Sequence, residues 1–260
     1  MNTAADERVS TGTPTELASR RFLVTGGAQG LGAAIVQRLV AAGASGLILD
    51  LAVSNTESYP WPALAVDVTD ELAVRQAIRS DVEQYGPFGG LIAAAGIVPS
   101  WHTPADVDVE MLNRTLAVNL TGFVTAMKYA VNDMPRGSTI VAIGSVNSLR
   151  GDPNQLAYAA SKHAVLGVVR SAAQSLGARG IRVNAIAPGP VATAALLKRM
   201  ESRAERTGMS QAEALRAAER LTALGSLATA DDVADAVMFL TGDRSAAITG
   251  QILAVDGGLL

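Results

Sequence analysis

Seven short runs of aliphatic and β-branched residues, at 22–25, 47–49, 63–66, 91–94, 139–143, 181–186 and 252–255, recur along the chain between longer amphipathic stretches. Few folds accommodate that rhythm. Strand, helix, strand is the βαβ unit, and strands that read as unbroken apolar runs belong to parallel sheets covered on both faces. The pattern predicts an α/β fold: a doubly wound, Rossmann-like sheet of seven parallel strands with helices on both faces. Right-handed crossovers then put any ligand at the carboxyl ends of the strands, near a topological switch point. Aromatics are only 4% of the 260 residues while 49% are hydrophobic, a composition suited to such a buried sheet. The length fits one domain, expected over 20–260, behind a polar tail, 1–19, expected to be disordered.

The same composition excludes several classes of function. No apolar run approaches the roughly 20 residues of a membrane span. The net charge is -3, with Lys and Arg scattered among acidic residues, so there is no one-sided basic patch for nucleic acid. The absence of cysteine removes disulfides, thiolate nucleophiles and Cys-based zinc sites. His102 and His163 are the only histidines and fall in no metal-ligand spacing, so no catalytic metal is expected. Residues 1–19 carry no secretory h-region, and a cytoplasmic location is the default expectation. One stretch breaks the rhythm: 194–224 is a helix-prone insertion that reads either as a lid over a substrate or as a solvated helical hairpin.

Directly after the first strand comes Thr25-Gly26-Gly27-Ala28-Gln29-Gly30-Leu31-Gly32, followed by an amphipathic helix expected over 33–42. Glycines let the backbone turn tightly and approach a pyrophosphate, and the new helix presents unpaired N–H groups and the positive end of its dipole. Gly26, Gln29, Gly30, Leu31 and Gly32 are the candidate phosphate cradle. Asp50 ends the second strand, 18 positions beyond Gly32, where a carboxylate meets the two hydroxyls of an adenosine ribose and repels a 2′-phosphate. With no Arg in the loop or directly after Asp50, the expected cofactor is NAD and not NADP. Asp67 and Val68, after the third strand, are placed against adenine; Asp70 is the better cap for the next helix, which leaves Asp67 for the ligand.

Tyr158 and Lys162 are four apart on a helical stretch and share one face, with Ser145 thirteen residues before the tyrosine and just past a strand end. An ammonium beside a phenol favours the phenolate, so Tyr158 suits a general base, Lys162 its activator and Ser145 a hydrogen-bond donor to a developing carbonyl oxygen. Taken together, these residues make the chain resemble the compact, single-domain branch of the short-chain dehydrogenase/reductase family. Thr25 to Gly32 is similar to its TGxxxGxG loop and Tyr158-Ala159-Ala160-Ser161-Lys162 to its YxxxK element. The resemblance runs from about Arg21 to the C-terminus. It implies that Asn119, in Val118-Asn119-Leu120, anchors a proton-relay water to Lys162. It further implies that Pro188 and Gly189 belong to the cofactor site, and that Val191 and Thr193 bind the nicotinamide carboxamide. The ending Thr249-Gly250-Gln251 and Asp256-Gly257-Gly258 resembles the family's last strand and turn, and implies a homotetramer.

One departure stands out: where the family usually reads Asn-Asn-Ala-Gly after the fourth strand, this chain has Ala93-Ala94-Ala95-Gly96. Ala94 and Gly96 are still assigned to the cofactor site, and the missing amides put local stability in question more than catalysis. By the same likeness the substrate pocket takes Ser145, Val146, Asn147, Gln155, Tyr158, Leu196, Leu197 and Met200, a mainly apolar set with two amides. A secondary alcohol or ketone, alicyclic, aromatic or steroid-like, is the expected substrate. A 3-oxoacyl-thioester reductase using NADPH is the alternative, and a non-enzymatic nucleotide-binding regulator the remote third. Trp101 and His102, after the fourth strand, read equally as a border of the substrate site or as a surface anchor.

Overall fold

The computed structural model describes residues 17–53, 56–193, 196 and 210–259, with Glu57 described in its backbone alone. Its strands are β1 (Arg21–Thr25), β2 (Ser45–Asp50), β3 (Ala63–Ala65), β4 (Gly90–Ala93), β5 (Thr139–Ile143), β6 (Arg182–Pro188) and β7 (Ile252–Val255). All pair in parallel in the order β3-β2-β1-β4-β5-β6-β7, so the sheet is the doubly wound one expected, with its switch point between β1 and β4. The shift of β6 towards Pro188 has a plain cause. Pairing with β7 runs from Ala185 opposite Ile252 to Pro188 opposite Val255, which holds the strand extended past the apolar run.

Register explains why the strands read as apolar without alternation. Leu47, Leu23, Leu91, Ile140 and Val183 lie side by side across five strands and feed one core, with Phe123, Val165 and Val169 above them. The next row, Ile48, Val24, Ile92 and Val141, points the other way into a second core with Ile35, Leu39, Val233 and Val237. The central strands therefore carry apolar residues at successive positions, facing both cores.

Helices α1 (Gly30–Ala41) and α2 (Glu71–Tyr85) follow β1 and β3, and α3 (Val109–Leu116) and α4 (Gly122–Ala130) follow β4. Between α3 and α4 the chain stays helical but widens into a π-helical turn, Ala117–Thr121, which contains Asn119. The long α5 (Leu156–Leu176) precedes β6, and α6 (Gln211–Glu219) and α7 (Ala230–Thr241) lie between β6 and β7. Asp70 caps α2 by accepting from Ala73 N at 3.0 Å, and Ser210 with Glu213 forms a reciprocal capping box on α6.

Two boundaries need correction. The ordered fold begins before residue 20: Leu17, placed in the tail by its polar surroundings, is 2% exposed and packs into the second core. Helix α1 starts at Gly30, three residues earlier than expected, so Gly32 lies inside its first turn. Residues 1–16 of the expected tail and 197–209 of the expected lid, including Leu197 and Met200, lie outside the described residues. Among the described residues no helix is long and apolar enough to cross a membrane.

Candidate active site

A cleft of about 830 Å³ opens along the carboxyl ends of the strands. Its floor at the switch point is the glycine loop. Gly32 is there for close approach: a Cβ on it would lie 1.9 Å from Gly26 O, because the first turn of α1 is tucked under the loop. A Cβ on Gly30 would meet nothing within 4 Å, so that residue faces open space in the cleft. Gln29 precedes α1 without a side-chain cap, leaving the helix's first N–H groups to whatever occupies the cleft. A dinucleotide pyrophosphate fits this cradle on all three counts. Gly32→Ala is expected to weaken binding of a reduced nicotinamide dinucleotide by at least about tenfold in a fluorescence titration, since the added methyl must push the loop out of place.

Asp50 borders the cleft at the end of β2. Its Oδ2 accepts from Ala28 N at 2.9 Å and its Oδ1 from Ala52 N at 3.0 Å, so the carboxylate fixes the loop as well as facing the cleft. One bond per oxygen leaves acceptor capacity for ribose hydroxyls. Asp67 also borders the cleft, with Oδ1 accepting from Thr69 N and Thr69 Oγ at 2.9 and 2.8 Å. That local turn orients the carboxylate and leaves it acceptor capacity towards the cleft. Val68, Ala94, Gly96, Pro188, Gly189, Val191 and Thr193 all border the cleft.

At the other end, β5 delivers Ser145 and α5 delivers Tyr158 and Lys162 to the same space. Ser145 begins a short turn, accepting from Asn147 N at 3.1 Å while its own N–H donates to Ser148 Oγ at 3.2 Å. That capping box holds its hydroxyl in one orientation. Lys162 is 5% exposed, and its Nζ donates to Ile143 O at 2.8 Å and lies 5.6 Å from the centre of the Tyr158 ring. Burial pulls its pKa from 10.5 down to about 8.

Asn119 lies behind the wall. Its Oδ1 accepts from Ile97 N at 2.7 Å, and its Nδ2 donates to Ile97 O at 2.9 Å and to Ser161 Oγ at 3.1 Å. Ser161 Oγ donates in turn to Tyr158 O at 2.8 Å, so Asn119 ties the loop after β4 to the turn that carries the tyrosine. Both polar atoms of the side chain thereby engage protein groups. A Cβ on Gly96 would lie 3.3 Å from Asn119 Oδ1 and 3.7 Å from Lys162 Nζ, which shows how closely the three converge.

A family model described as enoyl-(acyl carrier protein) reductase matches residues 26–260. Short-chain dehydrogenase reductase 3a of Arabidopsis thaliana is 39% identical over 250 residues, covering 91% of this chain and 93% of that protein. The chain belongs to the short-chain dehydrogenase/reductase family. Among solved structures of this family, the ligand-free aldohexose dehydrogenase of Thermoplasma acidophilum superposes with a TM-score of 0.86 at 30% identity, covering 92% and 93% of the two chains. An NAD+-bound xylitol dehydrogenase does so with a TM-score of 0.84 at 26% identity, covering 92% and 98%.

In this short-chain dehydrogenase/reductase the loop after β4 holds without the usual asparagines. Ala94 N donates to Thr25 O at 3.0 Å, and Asn119 takes both polar atoms of Ile97. The two readings of Trp101 and His102 separate. Trp101 borders the cleft, whereas His102 accepts from Ala157 N through Nε2 at 3.4 Å and so serves the start of α5. His163 rests on Ala159 O of its own helix. Of the substrate set, Val146, Asn147, Gln155 and Leu196 border the cleft, and Gln155 Nε2 is already donated to Asp152 Oδ2 at 3.1 Å. Arg114, Arg150, Asp152, Leu221 and Leu259 border it too and were missed, because each arrives from a segment whose own pattern is only that of a surface turn or helix.

Proposed function

We propose that this oxidoreductase interconverts a secondary alcohol and a ketone by NAD-dependent hydride transfer, with a mainly apolar, alicyclic, aromatic or steroid-like substrate. The observation that carries the reading is that Tyr158, Lys162 and Ser145 share one cleft with the glycine cradle and Asp50. When bound along that cleft, the nicotinamide supplies the hydride acceptor for oxidation and the donor for reduction. Tyr158 takes the substrate hydroxyl proton as the carbinol carbon is oxidised. Lys162, held by Ile143 O, keeps a positive charge beside the ring and favours the phenolate. Ser145, oriented by its capping box, donates to the developing carbonyl oxygen. Asn119 is a positioning residue, acting through Ser161 on the turn of Tyr158. In reduction each group reverses its part.

Val146, Leu196 and Trp101 border the cleft that Ser145 and Tyr158 share, which supports a substrate with an apolar part. The reading includes a homotetramer, for which the outer edge at β7 offers Leu253, 39% exposed, and a cytoplasmic location.

Cofactor preference is the test with the fewest assumptions. Followed by nicotinamide absorbance with a panel of hydrophobic secondary alcohols, kcat/KM is expected to favour NAD over NADP by about a hundredfold or more, equivalent to about 2.7 kcal/mol of like-charge repulsion at Asp50. Asp50→Ser should narrow the gap. Turnover only with the phosphorylated cofactor and a 3-oxoacyl thioester would replace this reading with the thioester reductase, and oxidation of a sugar phosphate alone would overturn the apolar substrate.

A further inference from the structure

We propose that the turn after β7, Asp256 to Leu259, is a specificity element: it braces the segment following α6 and sets Leu259 into the cleft as a wall for the substrate's apolar part. This rests on the alcohol dehydrogenase reading above.

The turn starts against the cofactor loop. Gly189 N donates to Val255 O at 3.0 Å, and a Cβ on Gly189 would lie 2.8 Å from Asp256 Cβ, so the two segments are in direct contact. Asp256 Oδ1 accepts from Gly258 N at 2.9 Å and closes the turn. The chain then pairs with the end of the α6 segment: Ala223 N donates to Gly258 O at 2.9 Å, Leu224 N to Gly257 O at 3.0 Å, and Thr222 stands opposite Leu259. Thr222 is buried, with its hydroxyl within hydrogen-bond reach of Glu219 O at 2.8 Å and Ser226 O at 3.0 Å.

Such a brace matters because, among the described residues, α6 has only a small apolar cluster of its own. Its apolar cluster joins Leu196 and Ala214 to Leu215, Ala218 and Leu227, and is separate from both cores of the sheet. A cluster that small contributes little burial energy, so a few backbone bonds decide where the helix sits. Ala217, Ala218, Leu221 and Leu259 all border the cleft. Gly258 is the point where the brace is breakable: at φ 74° a side chain is strained, and its Cβ would lie 2.9 Å from Ala223 Cβ.

The test combines two measurements on the full chain. With NAD, kcat/KM is measured for cyclopentanol, cyclohexanol and bulkier alkylated cyclohexanols in wild type, Leu259→Ala and Leu259→Trp. Leu259→Ala is expected to lose about tenfold on the bulkiest alcohols and much less on cyclopentanol, and Leu259→Trp to shift preference towards the small ones, with NADH affinity kept in both. Amide hydrogen exchange is measured in wild type and Gly258→Ala, with Ala223 and Leu224 expected to exchange faster in the variant. A uniform change across the alcohols, or unaltered exchange at Ala223 and Leu224, overturns the proposal. If wild type oxidises none of the alcohols, the alcohol dehydrogenase reading falls and the wall falls with it, while the exchange result still decides the brace.

Discussion

Tyr158→Phe is expected to lower kcat by roughly a thousandfold or more while NADH affinity and thermal stability stay close to wild type. The substitution removes one oxygen and keeps the ring, so packing on α5 and the 5.6 Å approach of Lys162 Nζ are retained. What disappears is the atom that accepts the alcohol proton, and no other described group on the cleft wall stands in the same place one turn from Lys162. Steady-state kinetics, a cofactor titration and a melting curve on the same preparation separate the effects. Unchanged turnover would remove Tyr158 from the chemistry. Dinucleotide binding without consumption in wild type would favour the regulator.

Lys162→Met is expected to abolish useful turnover and at the same time to stabilise the unliganded protein. Lys162 is 5% exposed and faces one backbone carbonyl, so the fold carries a buried charge without a carboxylate partner. Its pKa, lowered by burial from 10.5 to about 8, measures the cost. Below about 8 the folded and unfolded chains both hold the proton, and the full penalty, on the order of 3 kcal/mol, is present. Between about 8 and 10.5 the folded chain has released a proton that the unfolded chain still binds, so wild-type stability rises with pH through that window. The variant lacks the group and should be flat there. Denaturant midpoints across the range should show Lys162→Met ahead by about 1–3 kcal/mol near neutrality, with the lead shrinking as pH rises. A less stable variant at every pH would mean that the bond to Ile143 O outweighs the burial of the charge. The expected outcome is a protein whose reactive centre is retained against its own stability.

The strands, and the residues that the fold brings to one cleft, were legible in the sequence for a physical reason. A strand covered on both faces carries apolar residues at successive positions, so Leu47-Ile48-Leu49 cannot be mistaken for a surface element. The glycine loop was legible because close approach tolerates no side chain, as Gly32 under Gly26 O illustrates. What escaped depends on contacts between distant segments. Nothing around Leu17 marks it as a core residue, since its burial is decided by where the chain enters β1. The turn that Asp67 makes with Thr69 was not foreseen, because only helix capping and ligand binding were weighed for that carboxylate. His102 takes its meaning from Ala157, 55 positions later, and Leu259 from Thr222. The bonds by which the Asn119 side chain joins the loop after β4 to α5 were likewise not foreseen, because both partners lie more than twenty positions away.

The widened turn at Ala117–Thr121 has a consequence for how α3 and α4 can vary. An α-helix rotates about 100° per residue, so one surplus residue in a turn rotates everything beyond it by that amount. Here α3 packs on α5 and α4 on α2, two neighbours in different directions that a straight rod would not serve with the same side chains. The surplus residue acts as a phase shifter between them. Deleting any one residue from 117 to 121 would restore ordinary helical phase and swing one of the two apolar faces off its partner, so in this stretch the number of residues is constrained as well as the identity of Asn119.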